Sequence, residues 1–198
     1  MKFALVDGQR LEAYPNLKGV CVACGNPTLT KCGSFRVHHW AHYGQRRCDP
    51  WWETETEWHR TWKNQFPSEW QEVVHRSETG ELHIADVTTI NGWILEFQHS
   101  NITPEERKAR EDFYGKIFWV VDGARTLQSK NRFLFSLADG GAHRHFPEIR
   151  TVFTSTNNML KIWSTSTTHV LFDFGDETLW WLWSGQNTDW SYFISISK

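Results

Sequence analysis

The chain has 198 residues, a net charge of −2 and 22% charged residues, so it is not a basic protein that coats nucleic acid along its whole surface. Apolar residues make up 39% of it, and no apolar run approaches the roughly 18 residues of a transmembrane helix. The first residues lack the apolar core of a signal peptide. We therefore expect a cytoplasmic protein with no membrane partner, built as one sizeable domain or as a domain with small additions.

The N-terminal part of the sequence combines a predicted hairpin with a cluster of cysteine and histidine. Residues 3–14 favour two short strands that turn at Asp7 and Gly8. All four cysteines lie within residues 21–48, and in a reducing compartment such a cluster indicates a metal site more often than disulfides. Residues 1–48 are therefore predicted to form a hairpin and a zinc-binding module.

A first helix is predicted over residues 49–66. Asp49 can cap this helix, Pro50 suits its first position, and Pro67 ends it. Strands are then expected at residues 71–77, 82–89, 93–100 and 116–121.

A second helix is expected over residues 103–114, because Thr103 and Glu106 can form a capping box. The order helix, three strands, helix, strand makes residues 49–123 an α/β core. Residues 124–150 show no readable pattern. Residues 151–198 favour an all-β region with a turn near Gly175, so residues 124–198 are treated as a linker and a β-rich appendage.

Two carboxylates, Asp86 and Glu96, stand among apolar residues of neighbouring predicted strands. A carboxylate in an apolar strand is costly unless it is paired or binds a metal. Hydrolysis of a phosphodiester uses a divalent cation, and Mg²⁺ or Mn²⁺ prefers carboxylate oxygens. One interpretation is therefore a metal site for phosphodiester hydrolysis. On this short spacing alone, two solvated or salt-bridged acids are the favoured interpretation.

The first predicted helix adds a third acid. At about 100° per residue, Glu55 falls in the middle of a stripe of Trp and Phe, whereas Glu53 and Glu57 fall on the solvated face. His59 and Lys63 follow Glu55 at successive turns. Two roles are open for Glu55: it reaches the metal site or its surroundings, or it forms a buried pair with His59 that only orients the helix.

Seven short motifs stand in order along the first two thirds of the chain. They are Cys21 with Cys24; His39-Trp40-Ala41-His42; Glu55, His59 and Lys63; Ala85-Asp86-Val87; Glu96-Phe97-Gln98-His99-Ser100; Arg110 with Tyr114; and Ile117-Phe118-Trp119-Val120-Val121. In this order they resemble the CoiA-like competence nuclease family, a branch of the PD-(D/E)xK fold. Each motif is weak alone, but the ordered combination is specific.

The resemblance implies an α/β fold with a PD-(D/E)xK, restriction-endonuclease-like core, to which the N-terminal zinc-ribbon-like module and the C-terminal all-β appendage are added. It implies Asp86 and Glu96 as ligands of Mg²⁺ or Mn²⁺, with Glu55 as a third acid. Gln98 stands where this fold usually has a lysine. Gln98 carries no charge, but it can orient water or a phosphate oxygen by hydrogen bonding.

Three further residues are candidates for supporting roles at that site. His59 and Lys63 belong to the same motif as Glu55. Arg110 shares a face of the second predicted helix with apolar residues, so it is not simply solvated. Arg110 either contacts a DNA phosphate, or holds Glu96, or forms a purely structural ion pair.

The zinc module has more candidate ligands than a zinc ion needs. Cys21 and Cys24 form a knuckle that can hold zinc by two thiolates, and four protein ligands make a closed structural site. His39 is a candidate for facing the active site instead. Free cysteines in a core are the alternative to any zinc site. The favoured set is Cys21, Cys24, His42 and Cys48, with Cys32 as the substitute for His42.

The turn between residues 89 and 93 decides whether Asp86 and Glu96 share a face of their hairpin. A two-residue turn would place them on opposite faces, because successive residues of a strand alternate. A three-residue loop over residues 90–92 would pair them directly. We therefore predict the longer loop, with positive φ at Gly92.

The predicted function is metal-dependent cleavage of DNA phosphodiester bonds, in DNA uptake, recombination or conflict between mobile elements. DNA is the expected partner, and the sequence does not identify a protein partner. Two alternatives come from other functional classes. One is a catalytically silent DNA-binding module, and the other is a zinc-stapled protein-interaction domain.

Overall fold

The computed structural model describes residues 1–44, 48–154, 157–184 and 189–198. Its contacts divide the chain into two units, Met1–Ile94 and Leu95–Lys198. Both units are mixed α/β and contain more strand than helix, so the general α/β class is confirmed. The predicted part boundaries at residues 48 and 123 stay predictions. Within the described ranges, no helix has the length and apolar character needed to cross a membrane.

The first unit begins with an antiparallel sheet whose strands follow the order β2-β1-β3-β4-β5. The predicted hairpin turn is confirmed, since Asp7 and Gly8 both have positive φ, 49° and 79°. The strands are β1 (Phe3–Val6), β2 (Gln9–Glu12), β3 (Lys18–Val20), β4 (Pro27–Lys31) and β5 (His39–His42).

The rest of the first unit contains one short helix and an antiparallel strand pair. Helix α1 (Glu57–Lys63) leads through a 3₁₀ turn (Ser68–Trp70) to β6 (Gln71–Arg76). Strand β7 (Leu82–Thr88) pairs with β6. Burial alternates along β7, with Asp86 on the less buried face, as expected for a strand with one face on the core.

The prediction that the first helix begins at Asp49 is wrong. The helix begins at Glu57, because Thr56 caps it and accepts the backbone N–H of His59 at 3.3 Å. The Asp49 carboxylate is used elsewhere: it accepts the backbone N–H of Ile84 on β7 at 2.7 Å. Its other oxygen accepts the backbone N–H of Trp51 at 2.9 Å, so Asp49 closes a local turn and at the same time ties this segment to β7.

The predicted Trp stripe is also wrong as the buried face of this helix. His59 and Lys63 are the buried residues of α1, whereas Trp58 and Trp62 are only partly buried. Glu55 precedes the helix, so its burial does not follow from helical phase. The prediction that Glu55 is buried is confirmed, but the helical stripe from which it was predicted is not the cause.

The predicted three-residue loop is confirmed. The backbone N–H of Thr89 donates to the carbonyl of Trp93 at 2.8 Å, and the N–H of Gly92 donates to the carbonyl of Thr89 at 2.9 Å. Gly92 has a φ of 74°, the left-handed conformation that closes such a loop. The chain then enters β8 (Ile94–Gln98).

The second unit is a sheet in the order β10-β13-β12-β11-β9-β8 with three helices in the connections. Strands β9 and β11 are parallel, and the pairs from β11 to β10 are antiparallel. The elements are α2 (Pro104–Tyr114), β9 (Ile117–Asp122), α3 (Leu127–Gly140), β10 (Ile149–Phe153), α4 (Asn158–Trp163), β11 (His169–Asp173), β12 (Thr178–Ser184) and β13 (Trp190–Ser197).

Helices α3 and α4 were not predicted. Helix α3 lies in the segment that showed no pattern, and it is held by Phe133, whose ring stacks on Phe174 with centroids 4.3 Å apart. Helix α4 interrupts the region expected to be all-β, so that expectation is wrong at this point. Asn157 caps α4 by accepting the backbone N–H of Met159 at 3.0 Å. The capping box at the start of α2 is confirmed in part, since Thr103 accepts from the N–H of Glu106.

Candidate functional site

Four side chains of the first unit converge on one point. The turn after β3 supplies Cys21 and Cys24, the end of β5 supplies His42, and Cys48 completes the group. One ligand atom from each lies within 4.8 Å of the others. Three thiols and one imidazole at this spacing could hold a structural zinc ion. The cluster contains His42 and does not contain Cys32, so the favoured ligand set is the one that the structure brings together.

The contacts within this cluster favour metal binding. Cys21 Sγ lies 3.7 Å from Cys48 Sγ, and that hydrogen bond lowers the pKa of Cys21 to about 4 against the effect of its burial. Cys24 Sγ lies 3.3 Å from Nε2 of His42. The hydrogen bond between Cys21 and Cys48 also raises the pKa of Cys48, so the pair holds one thiolate and one thiol. Zinc binds cysteine as the thiolate, so a bound ion would favour ionisation of the second thiol. The cluster packs on an apolar core that includes Trp40, which suits a structural role.

A second polar cluster of the first unit is centred on Lys63. Its Nζ lies 2.9 Å from Oε1 of Glu55, 3.1 Å from Oε1 of Glu72 and 3.7 Å from Oδ1 of Asp86. An ammonium group has three N–H donors, so three carboxylates can share it. Despite burial, the charges of Glu72, Glu55 and Asp86 raise the pKa of Lys63 well above its ordinary value. Lys63 is therefore a fixed positive charge among three acids.

Exposure separates the three acids of this cluster. The side chains of Glu55 and Glu72 are 4% and 5% exposed, whereas that of Asp86 is 22% exposed. Glu55 Oε1 also accepts from Nε of Arg60 at 3.0 Å. Burial opposes ionisation of Glu55, but Lys63 and Arg60 outweigh it and lower the pKa of its carboxyl. Asp86 is the acid of the three that a cation in solution can reach most readily.

Glu72 is a site residue that the sequence reasoning missed. Its two oxygens accept the backbone N–H groups of Lys2 at 2.6 Å and Phe3 at 3.0 Å, which joins β6 to the start of β1. Burial opposes its ionisation, but Lys63 and these N–H groups lower the pKa of Glu72 to about 2. The available signal was the one used for Asp86, an acid beside valines in a predicted strand.

His59 makes contacts that differ from the pair considered for it. Its Nε2 lies 3.7 Å from Oε2 of Glu53, and its Nδ1 lies 2.9 Å from Oγ1 of Thr56. Glu55 meets Lys63 and Arg60 instead. His59 thus fixes the start of α1, and the helix presents Lys63 to the acids one turn after His59.

The second unit contains the other predicted acid, Glu96, on β8. Nη1 of Arg110 lies 3.3 Å from Oε2 of Glu96, and Arg110 also pairs with Glu106 one turn earlier in α2. Of the roles left open for Arg110, the structure contains the ion pair with Glu96. Gln98 is buried, and its Nε2 donates to the carbonyl of Ser100 at 3.1 Å.

The cysteine cluster offers sulfur and imidazole, which suit zinc, whereas the Lys63 cluster offers carboxylate oxygens, which suit a hard cation. These two centres differ in chemistry although they belong to the same unit. No family model, curated protein or solved structure matches the chain. An assignment of function therefore depends on the geometry of its own residues.

Proposed function

We propose that the chain is a nuclease that hydrolyses DNA phosphodiester bonds with Mg²⁺ or Mn²⁺ held by Asp86 and Glu96. The observation that carries the proposal is the position of Asp86 beside a buried lysine that Glu55 and Glu72 hold in place. Such a group of ionised acids around one fixed cation is costly to bury for stability alone. Strong perturbation of ionisable groups is typical of functional sites.

Asp86 fits the role of a metal ligand better than its two neighbours. Both oxygens of Glu72 accept backbone N–H groups, and Oε1 of Glu55 is shared by Lys63 and Arg60. Asp86 is the most exposed of the three, and carboxylate oxygen is the donor that Mg²⁺ and Mn²⁺ prefer. When bound, the ion would neutralise charge on the phosphate and lower the pKa of a bound water.

Two observations support Glu96 as the second acid. Counted outward from the loop, Asp86 is three residues before Thr89 and Glu96 is three residues after Trp93, the two residues that the loop joins. A register continued without a bulge along both strands would pair the two acids. Arg110 holds the Glu96 carboxylate in one orientation, as a preorganised ligand requires.

Lys63 is proposed as a positioning residue and not as a group that contacts DNA. Its side chain is 4% exposed, and its ammonium group lies within 3.7 Å of an oxygen of each of the three carboxylates. It therefore acts on the site through Asp86. Gln98 keeps the role of orienting water or a phosphate oxygen, because its amide cannot supply a charge.

The test is nicking of supercoiled plasmid by zinc-loaded protein, with Mn²⁺ added or omitted. We expect cleavage only with Mn²⁺, and a loss of at least about 100-fold in Asp86→Ala and in Glu96→Ala, since each removes a ligand. Asp112→Ala is the matched control, because Asp112 is an exposed acid whose ion-pair partner among the described residues is Lys108, on the same helix α2. Full activity in Asp86→Ala would contradict the site. DNA binding without cleavage by the unaltered protein would favour the silent DNA-binding alternative.

A further inference from the structure

The segment that follows β2 and ends at Cys48 is basic, unlike the rest of the chain. From Ala13 to Cys48 it contains five Lys or Arg residues and no Asp or Glu, whereas the whole chain has a net charge of −2. The zinc-cluster module is therefore basic on a chain that is otherwise acidic. A basic face on one module is typical of contact with a polyanion.

This basic segment forms a hollow beside the β4–β5 hairpin. Phe35 lies at its edge with 99% of its surface exposed, the highest exposure of any large apolar residue in the described chain. Lys31 and Arg36 are exposed on either side of Phe35 in sequence, and neither forms an ion pair with a described residue. The hollow is lined by Lys31, Gly33, Phe35, Arg36, His39 and Ala41.

We propose that this hollow binds single-stranded DNA, with Lys31 and Arg36 on phosphates and Phe35 stacked on a base. A single exposed Phe is unremarkable by itself, but an open aromatic ring between two cations offers both contacts that a single strand needs. A duplex hides the faces of its bases, whereas a single strand leaves them open to stack. That the ligand is DNA rests on the proposed function. The hollow adds that the DNA is single-stranded.

Arg60 connects this hollow to the acid cluster within the first unit. Its Nη2 donates to the carbonyl of His38, next to the hollow, at 2.9 Å, while its Nε contacts Glu55 at 3.0 Å. One guanidinium thus spans the loop that carries the hollow and the acids around Lys63. A strand held at the hollow lies on the same unit as Asp86, which suits delivery of a phosphodiester to that acid.

The test is fluorescence anisotropy with labelled oligothymidylate, in Ca²⁺ in place of Mn²⁺ so that cleavage does not interfere. Phe35→Ala should weaken binding about tenfold or more without changing its salt dependence, and Phe35→Trp should restore it, because the contact is stacking. Arg36→Ala should lower the slope of log affinity against log salt by about 0.7, because one phosphate contact is lost. Phe135→Ala and Arg132→Ala are the controls, since both residues are exposed on α3 of the second unit.

Several outcomes would overturn this inference. They are unchanged affinity in both Phe35→Ala and Arg36→Ala, equal or tighter binding of a duplex of the same length, and tighter binding of oligouridylate. The measurement does not depend on cleavage. If the protein binds single strands through Phe35 but does not cut DNA, the proposed nuclease activity is refuted and the proposed binding site at the hollow stands. If the protein cuts DNA but the Phe35→Ala variant binds single strands normally, only the proposed binding site at the hollow is refuted.

Discussion

Lys63 and Glu72 form an ion pair in which both side chains are almost fully buried, with Nζ 3.1 Å from Oε1. Glu72 also accepts two backbone N–H groups of the N-terminal strand. The pair therefore connects helix α1, strand β6 and the start of β1. Removing one member leaves the other buried charge with one opposite charge fewer beside it.

Glu72→Gln should destabilise the protein by about 3 kcal/mol, because an amide cannot balance the Lys63 charge and one of its ends cannot accept an N–H. Glu12→Gln is the control, since the Glu12 side chain is 55% exposed and its ion pairs with Lys2 and Arg60 should contribute less than about 1 kcal/mol. Urea denaturation of both variants measures the difference. Equal effects would show that the buried pair contributes no more than a surface one.

The same carboxylate makes stability depend on pH. The pKa of Glu72 is lowered from 4.5 to about 2, so its contribution is complete above about pH 4.5 and is lost as the pH falls toward 2. The free energy of unfolding of the unaltered protein should therefore decline more steeply across this range than that of Glu72→Gln. Denaturation at several pH values measures both slopes. Parallel curves would contradict the depressed pKa.

Glu55→Gln should reduce nicking activity more than Glu57→Gln. Glu55 is buried against Lys63 and Arg60, whereas Glu57 is exposed on the first turn of α1. Loss of the Glu55 charge releases Lys63 toward Asp86 and should destabilise the fold by about 1–3 kcal/mol. Activity assayed below the unfolding midpoint separates the two effects. Equal activity in both variants would exclude a role for Glu55 in positioning Lys63.

Replacing a cysteine of the four-residue cluster should remove the zinc ion, whereas replacing a cysteine outside it should not. Cys24→Ser should lose the tightly held zinc, about one ion per chain, and should fold poorly. Cys32→Ser should keep both zinc and fold, because Cys32 lies outside the four-residue cluster. Elemental analysis of purified protein measures the metal. Zinc retained by Cys24→Ser but lost by Cys32→Ser would reverse the ligand assignment.

Gly92→Val should destabilise the hairpin through its backbone and not through a clash. Gly92 has a φ of 74°, and a Cβ there would meet no atom within 4 Å. We expect a cost of about 1–2 kcal/mol for Val, and a smaller cost for Gly92→Asn, since Asn tolerates the left-handed region. Thermal unfolding of both variants measures the order. Equal stability of the Gly92→Val and Gly92→Asn variants would indicate that the loop changes its conformation.

The cysteine–histidine cluster and the loop over residues 90–92 could be predicted because the deciding information is local. Zinc requires a small number of ligand types at short spacing, which Cys21 and Cys24 satisfy. The loop depends on one residue able to adopt positive φ, and Gly92 is that residue.

The start of α1 and the role of Glu72 could not be predicted because they depend on distant contacts. Asp49 carries an ordinary cap signal, but its carboxylate bonds Ile84, which lies 35 residues later. Glu72 lies in an ordinary strand pattern, and its partners Lys2 and Phe3 are 70 and 69 residues away. Helix α3 depends on Phe133 packing against Phe174, which is also a long-range contact.

Asp86 and Glu96 are proposed to hold one divalent cation. The most direct test is a crystal structure of the zinc-loaded protein soaked in Mn²⁺, with the anomalous signal of manganese used to locate the ion. We expect a single strong manganese peak within coordination distance of one oxygen of Asp86 and one oxygen of Glu96, with Lys63 still beside Asp86. A structure with manganese elsewhere or nowhere, and with the two carboxylates on opposite faces of the hairpin, would contradict this proposal.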